Sequence, residues 1–289
     1  MKKILFTFAA AALLLSGCGA KGEEQKQSGE PKIVATTMAL VDTADQLNID
    51  LAGIPSTSKE IPAKYKNVTQ IGQVKKPNME IVQSLQPTNI LSVTSIKPEM
   101  EKALNGSKVK ATYYNYNSIE KMQKSITQMG EDFDRKEEAK KLNARYDAEI
   151  AKINKKIKGK KKPKVLVLLG VPGSYMISTE HSFFGNLVEL AGGENVVKAK
   201  HSDEEFIASN TEHLFKLQPD IILRASHGFP NQVKAMFDEE FKTNTIWRNF
   251  KATKNNRIFD LDETLFGITA NINADQSLEK MYELLYEEK

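Results

Sequence analysis

Ser209-Asn-Thr-Glu212-His-Leu-Phe-Lys-Leu217-Gln-Pro219-Asp-Ile-Ile-Leu223-Arg-Ala-Ser-His227-Gly228 decides how this chain folds. Taken alone it predicts a helix start with Ser209 or Asn210 as cap and Glu212 in the first turn. A short helix then ends at Pro219, and a buried strand over Ile221 to Leu223 leads into a loop carrying His227. The pattern occurs earlier as Pro77-Asn78-Met-Glu80-Ile-Val-Gln-Ser-Leu85-Gln86-Pro87-Thr-Asn-Ile90-Leu91-Ser-Val. One constant offset puts Asn210 on Asn78, Glu212 on Glu80, Leu217 on Leu85, Pro219 on Pro87, Ile222 on Ile90 and Leu223 on Leu91. Two related α/β lobes follow from that repeat. Where the second copy has His227, the first has Ser95.

Strand and helix patterns alternate on both sides of the two copies, which predicts parallel α/β sheets. Before the first copy, Lys32 to Thr36 is a β-rich run feeding a helix start at Thr37-Met38-Ala39-Leu40, and Leu51 to Ile54 is apolar again. After it, Lys97-Pro98 opens a helix and Val109 to Tyr116 a last strand. From Ser118 the period changes: Ile119, Met122, Ile126, Met129 and Phe133 share one helical face. Asp134-Arg-Lys-Glu137 has capping-box spacing. The stripe Ala139, Leu142, Tyr146, Ile150, Ile153, Ile157 then continues for roughly 35 Å of helix. Lys164 to Gly170 opens the second lobe with a buried strand, Tyr175 to Ser178 is its short partner, and Gly192-Gly193 stops a helix over Phe184 to Ala191. A helix after Pro230, an apolar patch around Trp247, a strand over Arg257 to Leu261 and a helix from about Asn273 to Tyr286 close the chain.

The 289 residues, 40% of them hydrophobic, are enough for one large domain or two ordinary ones. Met1 to Gly17 has a basic start, an apolar run and small residues, the form of a secretory signal. The run is shorter than the roughly 20 residues that a membrane span needs. The net charge of +4 includes Lys2 and Lys3, which would leave with that signal, and no nucleic-acid footprint is visible in the balance. Gly19 to Pro31 is polar and predicts a disordered tether.

No Gly-rich phosphate loop, nucleophile elbow or HExxH pair of histidines is present, so no local signature of an enzyme exists. The four histidines are His181, His201, His213 and His227. His227 stands at the carboxyl end of a predicted strand, where open α/β sheets bind ligands, and its imidazole is a good metal ligand as well as an ordinary loop side chain.

Leu15-Ser16-Gly17-Cys18 resembles the lipobox of bacterial lipoproteins, which implies lipid attachment to the sole cysteine and a mature chain without disulfides. With the tether, the paired lobes, the long helix and the Asn-x-Glu repeat, the chain resembles the substrate-binding lipoproteins of ABC importers for iron chelates, heme and cobalamin. Ile71-Gly72-Gln73, Met122 to Gln128, Gly170 to Tyr175, Ala191 to Val196, Arg224-x-x-His227-Gly228 and Phe266 to Asn271 are similar to the heme-binding lipoproteins of the iron-regulated surface determinant systems of Gram-positive bacteria. The resemblance implies two Rossmann-like lobes with parallel sheets joined by a single long α-helix, the class III periplasmic-binding-protein arrangement. The corresponding boundaries are 1–17 signal, 18–31 tether, 32–133 N-terminal lobe, 134–158 linking helix and 159–289 C-terminal lobe.

It further implies heme as transported ligand, His227 as iron ligand, an extracytoplasmic monomer held at the membrane through Cys18, a surface heme donor and an ABC permease. Glu80 and Glu212 would meet arginines of the permease subunits, although an acid in a first helical turn is also stabilised by the helix alone. The family presents a methionine where this chain has Lys75; Met79, one helical turn further on, and Met38, on the loop after the first predicted strand at a cleft edge, are the thioethers able to reach the iron if the loop shifts, and for both core packing is the competing role. Water, Lys75 or an open sixth position are further alternatives. For the propionates, the helix starts at Thr36-Thr37-Met38-Ala39 and near Ser58-Lys59 offer backbone N–H groups, and Arg224 offers a guanidinium. A siderophore or cobalamin receptor would not need His227 as ligand; a heme-modifying surface enzyme and a divalent-metal receptor are the readings from other classes.

Overall fold

The computed structural model describes residues 31–107, 109–201 and 204–287. The signal, Cys18 and the tether up to residue 30 lie outside the described residues. In the first lobe, β1 (Ile33–Ala35) leads through α1 (Met38–Gln46) to β2 (Gly53–Ile54) and β3 (Thr69–Gln70). A small hairpin of β4 (Gly72–Gln73) and β5 (Lys76–Pro77) precedes α2 (Met79–Ser84), β6 (Asn89–Val93), α3 (Lys97–Ala103) and β7 (Ala111–Tyr114). The sheet has the order β3-β2-β1-β6-β7 and every pairing in it is parallel. Its central strands β1 and β6 are buried without alternation because both faces are covered. Ile33, Ala35 and Leu91 join one core, and Val34 and Ile90 join Ile71 and Val82 on the other face.

Two helices follow, α4 (Ile119–Asp132) and α5 (Lys136–Ile157). The Ser118 hydroxyl caps α4 by accepting the Lys121 N–H at 3.1 Å, and Ile119, Met122, Ile126 and Met129 are fully buried. The capping box expected at Asp134 does not form. Asp134 instead takes φ 55° in the tight turn between the helices, and the Arg135 N–H donates to the Gly130 carbonyl at 2.7 Å. The turn is tight because α4 and α5 touch at Gly130, where an added Cβ would lie 2.6 Å from the Ala139 methyl and 2.9 Å from the Arg135 carbonyl oxygen.

The second lobe runs β8 (Lys164–Val171), β9 (Ser174–Ser178), α6 (Phe183–Leu190), β10 (Glu194–Asn195), β11 (Phe206–Ala208), α7 (Thr211–Leu217) and β12 (Ile221–Ser226). It continues with α8 (Pro230–Thr243), α9 (Thr245–Arg248), α10 (Lys251–Lys254), β13 (Ile258–Asp260) and α11 (Ala274–Tyr286). Its sheet, β11-β9-β8-β12-β13 with β10 beside β8, departs from the all-parallel expectation: β9 runs antiparallel to β8, and β11 antiparallel to β9. Only Pro172 and Gly173 separate β8 from β9, too few residues for a crossover helix. Gly173, with φ 85°, supplies the left-handed backbone that a tight hairpin needs. Trp247 is the centre of a cluster on the outer face, stacked 4.5 Å from Phe241 and 4.6 Å from Phe250.

The repeat holds down to single dihedral angles. Asn78 and Asn210 both cap, accepting the N–H of Glu80 and Ile81 in one lobe and of His213 in the other. Gln86 and Gln218 both turn left-handed, with φ 50° and φ 45°, and so end their helices one residue before Pro87 and Pro219. β6 and β12 then occupy matching places, each between the first strand of its lobe and the last. Gly130→Ala tests the packing of α4 on α5: it should lower unfolding free energy by about 1–3 kcal/mol, read as a reduced urea midpoint with an unchanged slope.

Candidate functional site

Ligands of open α/β sheets collect beyond the carboxyl ends of the strands. β12 delivers His227 there. The His227 N–H donates to the Gly170 carbonyl at 2.9 Å and the Gly228 N–H to Glu263 Oε1 at 2.9 Å, so the loop is tied to its own lobe on both sides. His227 is exposed, yet the protein around it still holds its pKa below the usual 6.5. Burial is the main cause, the cations Lys75 and Lys59 add to it, and Glu263 opposes it. Lys75 lies in the β4–β5 turn and Lys59 in the loop after β2, so two cations of the first lobe act on a histidine of the second. A neutral imidazole keeps a lone pair for a metal.

The other sequence-predicted residues divide sharply. Thr37 is the N-cap of α1 with extended backbone, makes no side-chain cap bond, and has a buried Oγ1 without a partner among the described residues. Beside it, the first-turn amides of Met38 and Ala39 have no intrahelical acceptor. A carboxylate fits that cradle, accepting hydrogen bonds from the N–H donors and from the Thr37 hydroxyl. Thr36 does not belong to it, because its hydroxyl is buried and donates inward toward the Leu91 carbonyl (3.1 Å) and Ser92 Oγ (3.0 Å).

No helix starts at Ser58-Lys59. Residues 55–62 are a loop in which the Lys59 N–H donates to Thr57 Oγ1 at 2.9 Å, and the next helical turn is Ala63–Tyr65. What Lys59 brings is therefore its ammonium group. Arg224 is also removed from ligand contact. It is 8% exposed, donates to both Asp260 oxygens (2.6 and 2.8 Å), pairs with Asp238 (2.9 Å) and lies over the Phe237 and Phe241 rings. Strand alternation puts it under α8, on the face opposite Leu223 and Ala225.

Met79 packs with Ile71, Val82 and Ile90 on the outer face of the first sheet, which takes its thioether out of the cleft. Met38 is partly buried against the main core at the first position of α1. Glu80 and Glu212 are exposed on the first turns of α2 and α7, and among the described residues neither has an ion-pair partner.

Three site features are absent from the sequence reading. Glu263 and Asp42 reach the site through long-range folding; Asp42, on α1 near Lys59, is raised by burial from the usual 3.8 to about 6. Phe229, next to the His227-Gly228 turn, is 67% exposed and has a left-handed backbone. A separate cavity of about 260 Å³ lies at the β6–β7 end of the cleft, lined by Thr94, Ser95, Asn115, Asn117, Lys121, His181 and Glu205. It contains Ser95, the repeat counterpart of His227, but it is small and polar and shares no residue with the group around His227, so it is a poor seat for a large apolar ligand.

Among the described residues no three His, Cys, Asp or Glu side chains converge to hold a metal. The half-buried Asp42 makes a pH prediction. A folded pKa above the unfolded one means that the native state holds the extra proton, so its contribution to stability is complete below about pH 4 and is lost as pH rises through about 6. Asp42→Asn should therefore be more stable than wild type at pH 7 by about 1 kcal/mol, the gap closing toward pH 4 in thermal melts.

A family model of periplasmic binding proteins matches residues 33–265. The chain is 47% identical over 289 residues, 99% of its length and 98% of the relative's, to the high-affinity heme uptake system protein IsdE of Staphylococcus aureus. Among solved structures it is similar to Staphylococcus aureus IsdE complexed with heme, with TM-score 0.85 and 50% identity over 90% of this chain and 100% of that one. It is equally similar in fold to an ABC transporter substrate-binding protein of Listeria monocytogenes, with TM-score 0.85 and 48% identity over the same shares. The chain belongs to the periplasmic binding protein family, in the branch that holds the staphylococcal IsdE proteins.

Proposed function

We propose that this protein is the heme receptor of an ABC importer, taking heme between its two lobes and delivering it to the permease for iron acquisition. The observation that carries this is the likeness, at 50% identity over 90% of this chain, to a solved protein complexed with heme. The chemistry of the cleft is consistent with it. His227 offers a neutral imidazole to iron; Lys59, Lys75, the Thr37 hydroxyl and the first amides of α1 are donors suited to two propionates. The protein acts by binding and release and catalyses no reaction. Met38 and Lys75 are the first-lobe candidates for the sixth iron position; Lys75 stands near His227 and binds iron only as the neutral amine, since its ammonium has no lone pair.

The mature chain is held at the extracytoplasmic face of the membrane by lipid on Cys18, behind the tether of residues 18–31. Among the described residues no helix is long and apolar enough to cross a membrane. Residues 32–133 and 159–289 act as the two lobes and 134–158 as their link. Glu80 and Glu212 dock on the permease, supported by their equivalent places and exposure on the two lobes.

Hemin titrated into the protein should give a saturable 1:1 Soret band, while cobalamin and ferric siderophores should not compete. His227→Ala should weaken hemin binding by a factor of about ten or more, and an unchanged spectrum and affinity would remove His227 from the iron. Lys75→Ala and Met38→Ala spectra identify the sixth ligand. Glu80→Lys with Glu212→Lys should leave the hemin titration intact and abolish uptake by cells that depend on heme iron; normal uptake would sink the docking role.

A further inference from the structure

We infer that Phe229 is a porphyrin-contacting residue of the cleft, an aromatic wall beside His227 held in place at the expense of the unliganded protein. The inference rests on the heme function proposed above. Two unfavourable features coincide at this one side chain. Phe229 is the N-cap of α8 with φ 52° and ψ 52°. That left-handed conformation is one a bulky residue rarely adopts and glycine takes freely. Phe229 is also 67% exposed, and Met176 at 39% is the only other exposed large hydrophobic side chain among the described residues.

The surroundings fix that conformation. The Phe229 carbonyl accepts the N–H of Gln232 (3.0 Å) and Val233 (3.1 Å), so it starts α8. Val233 in turn sits on Gly170, where an added Cβ would be 2.4 Å from its methyl, and the Gly170 carbonyl accepts the His227 N–H. The turn, the helix and the histidine are thus one rigid unit. Beside it lies open space: a Cβ added at Gly228 would meet nothing within 4 Å.

Capping α8 needs only the Phe229 backbone, and among the described residues no aromatic ring or cation packs on the Phe229 ring to compensate for its exposure. Backbone strain with an apolar side chain left in water, two residues from a metal-ligating imidazole, is the arrangement expected where the compensating surface arrives with a ligand. A porphyrin supplies that surface, a broad apolar π-system that an aromatic ring can stack on or meet edge-on.

Phe229→Gly separates ligand contact from structure. It removes the ring and relieves the left-handed strain, so the apo protein should melt at the same temperature or higher, while hemin transfer to excess apomyoglobin should accelerate about tenfold. A structural Phe229 would give the reverse, a lower melting temperature with unchanged transfer. Phe229→Trp provides a second readout that does not depend on the glycine variant folding. The chain has one tryptophan, the buried Trp247, so hemin should quench the new indole more strongly than the native one, with transfer staying slow. Intact wild-type binding with unchanged transfer from Phe229→Gly, or no added quenching in Phe229→Trp, overturns this inference alone. Absence of a Soret band from wild type overturns the heme function and this inference with it.

Discussion

The buried stripe of α5 is the constraint on which both lobes depend. Tyr146 and Ile153 are buried where α5 lies between α4 and α11, and Leu142 and Ala139 continue the stripe toward α4. The lobes therefore share one hydrophobic core, running from Ile33 to Leu285, beside the smaller cluster that each keeps to itself. Polar bonds close the seam: the Tyr146 hydroxyl donates to the Ile272 carbonyl at 3.1 Å, the Ala270 N–H to the Tyr116 carbonyl at 2.8 Å and the Ile119 N–H to Asn186 Oδ1 at 3.0 Å. A hinge built this way resists large excursions, and the geometry around His227 is set in advance of any ligand.

How much of this is legible in the sequence depends on the range of the interaction responsible. The repeat is readable because capping asparagine, first-turn glutamate and helix-ending proline are local signals, and the matching left-handed Gln86 and Gln218 lie within the repeated stretch. The stripes of α4 and α5 are readable for the same reason. The antiparallel β9 is within reach, since the Pro172-Gly173 spacing forbids a crossover. The turn at Asp134 is not, because the close approach at Gly130 decides it, and no local pattern reports an interhelical distance.

The site follows the same division. His227 can be placed at a strand end from sequence alone. Arg224 is misassigned by that reading although the period of a strand contains the answer: three residues before His227 it points to the other face, and the acids that hold it, Asp238 and Asp260, come from elements distant in sequence. The influence of Lys59, Lys75 and Glu263 on His227 is tertiary throughout. Phe229 leaves a faint trace, an aromatic between a glycine and a helix-opening proline, whose meaning emerges only with its dihedral angle and exposure.

The short helices that begin the repeat carry one more consequence. Glu80 and Glu212 stand at equivalent places on separate lobes, each fixed to its own sheet by a short helix. A rotation of one lobe against the other alters the distance between the two carboxylates wherever its axis passes through neither of them. The pair is therefore a caliper: a surface that grips both at once measures the hinge angle, and can tell a closed cleft from an open one without touching what lies inside.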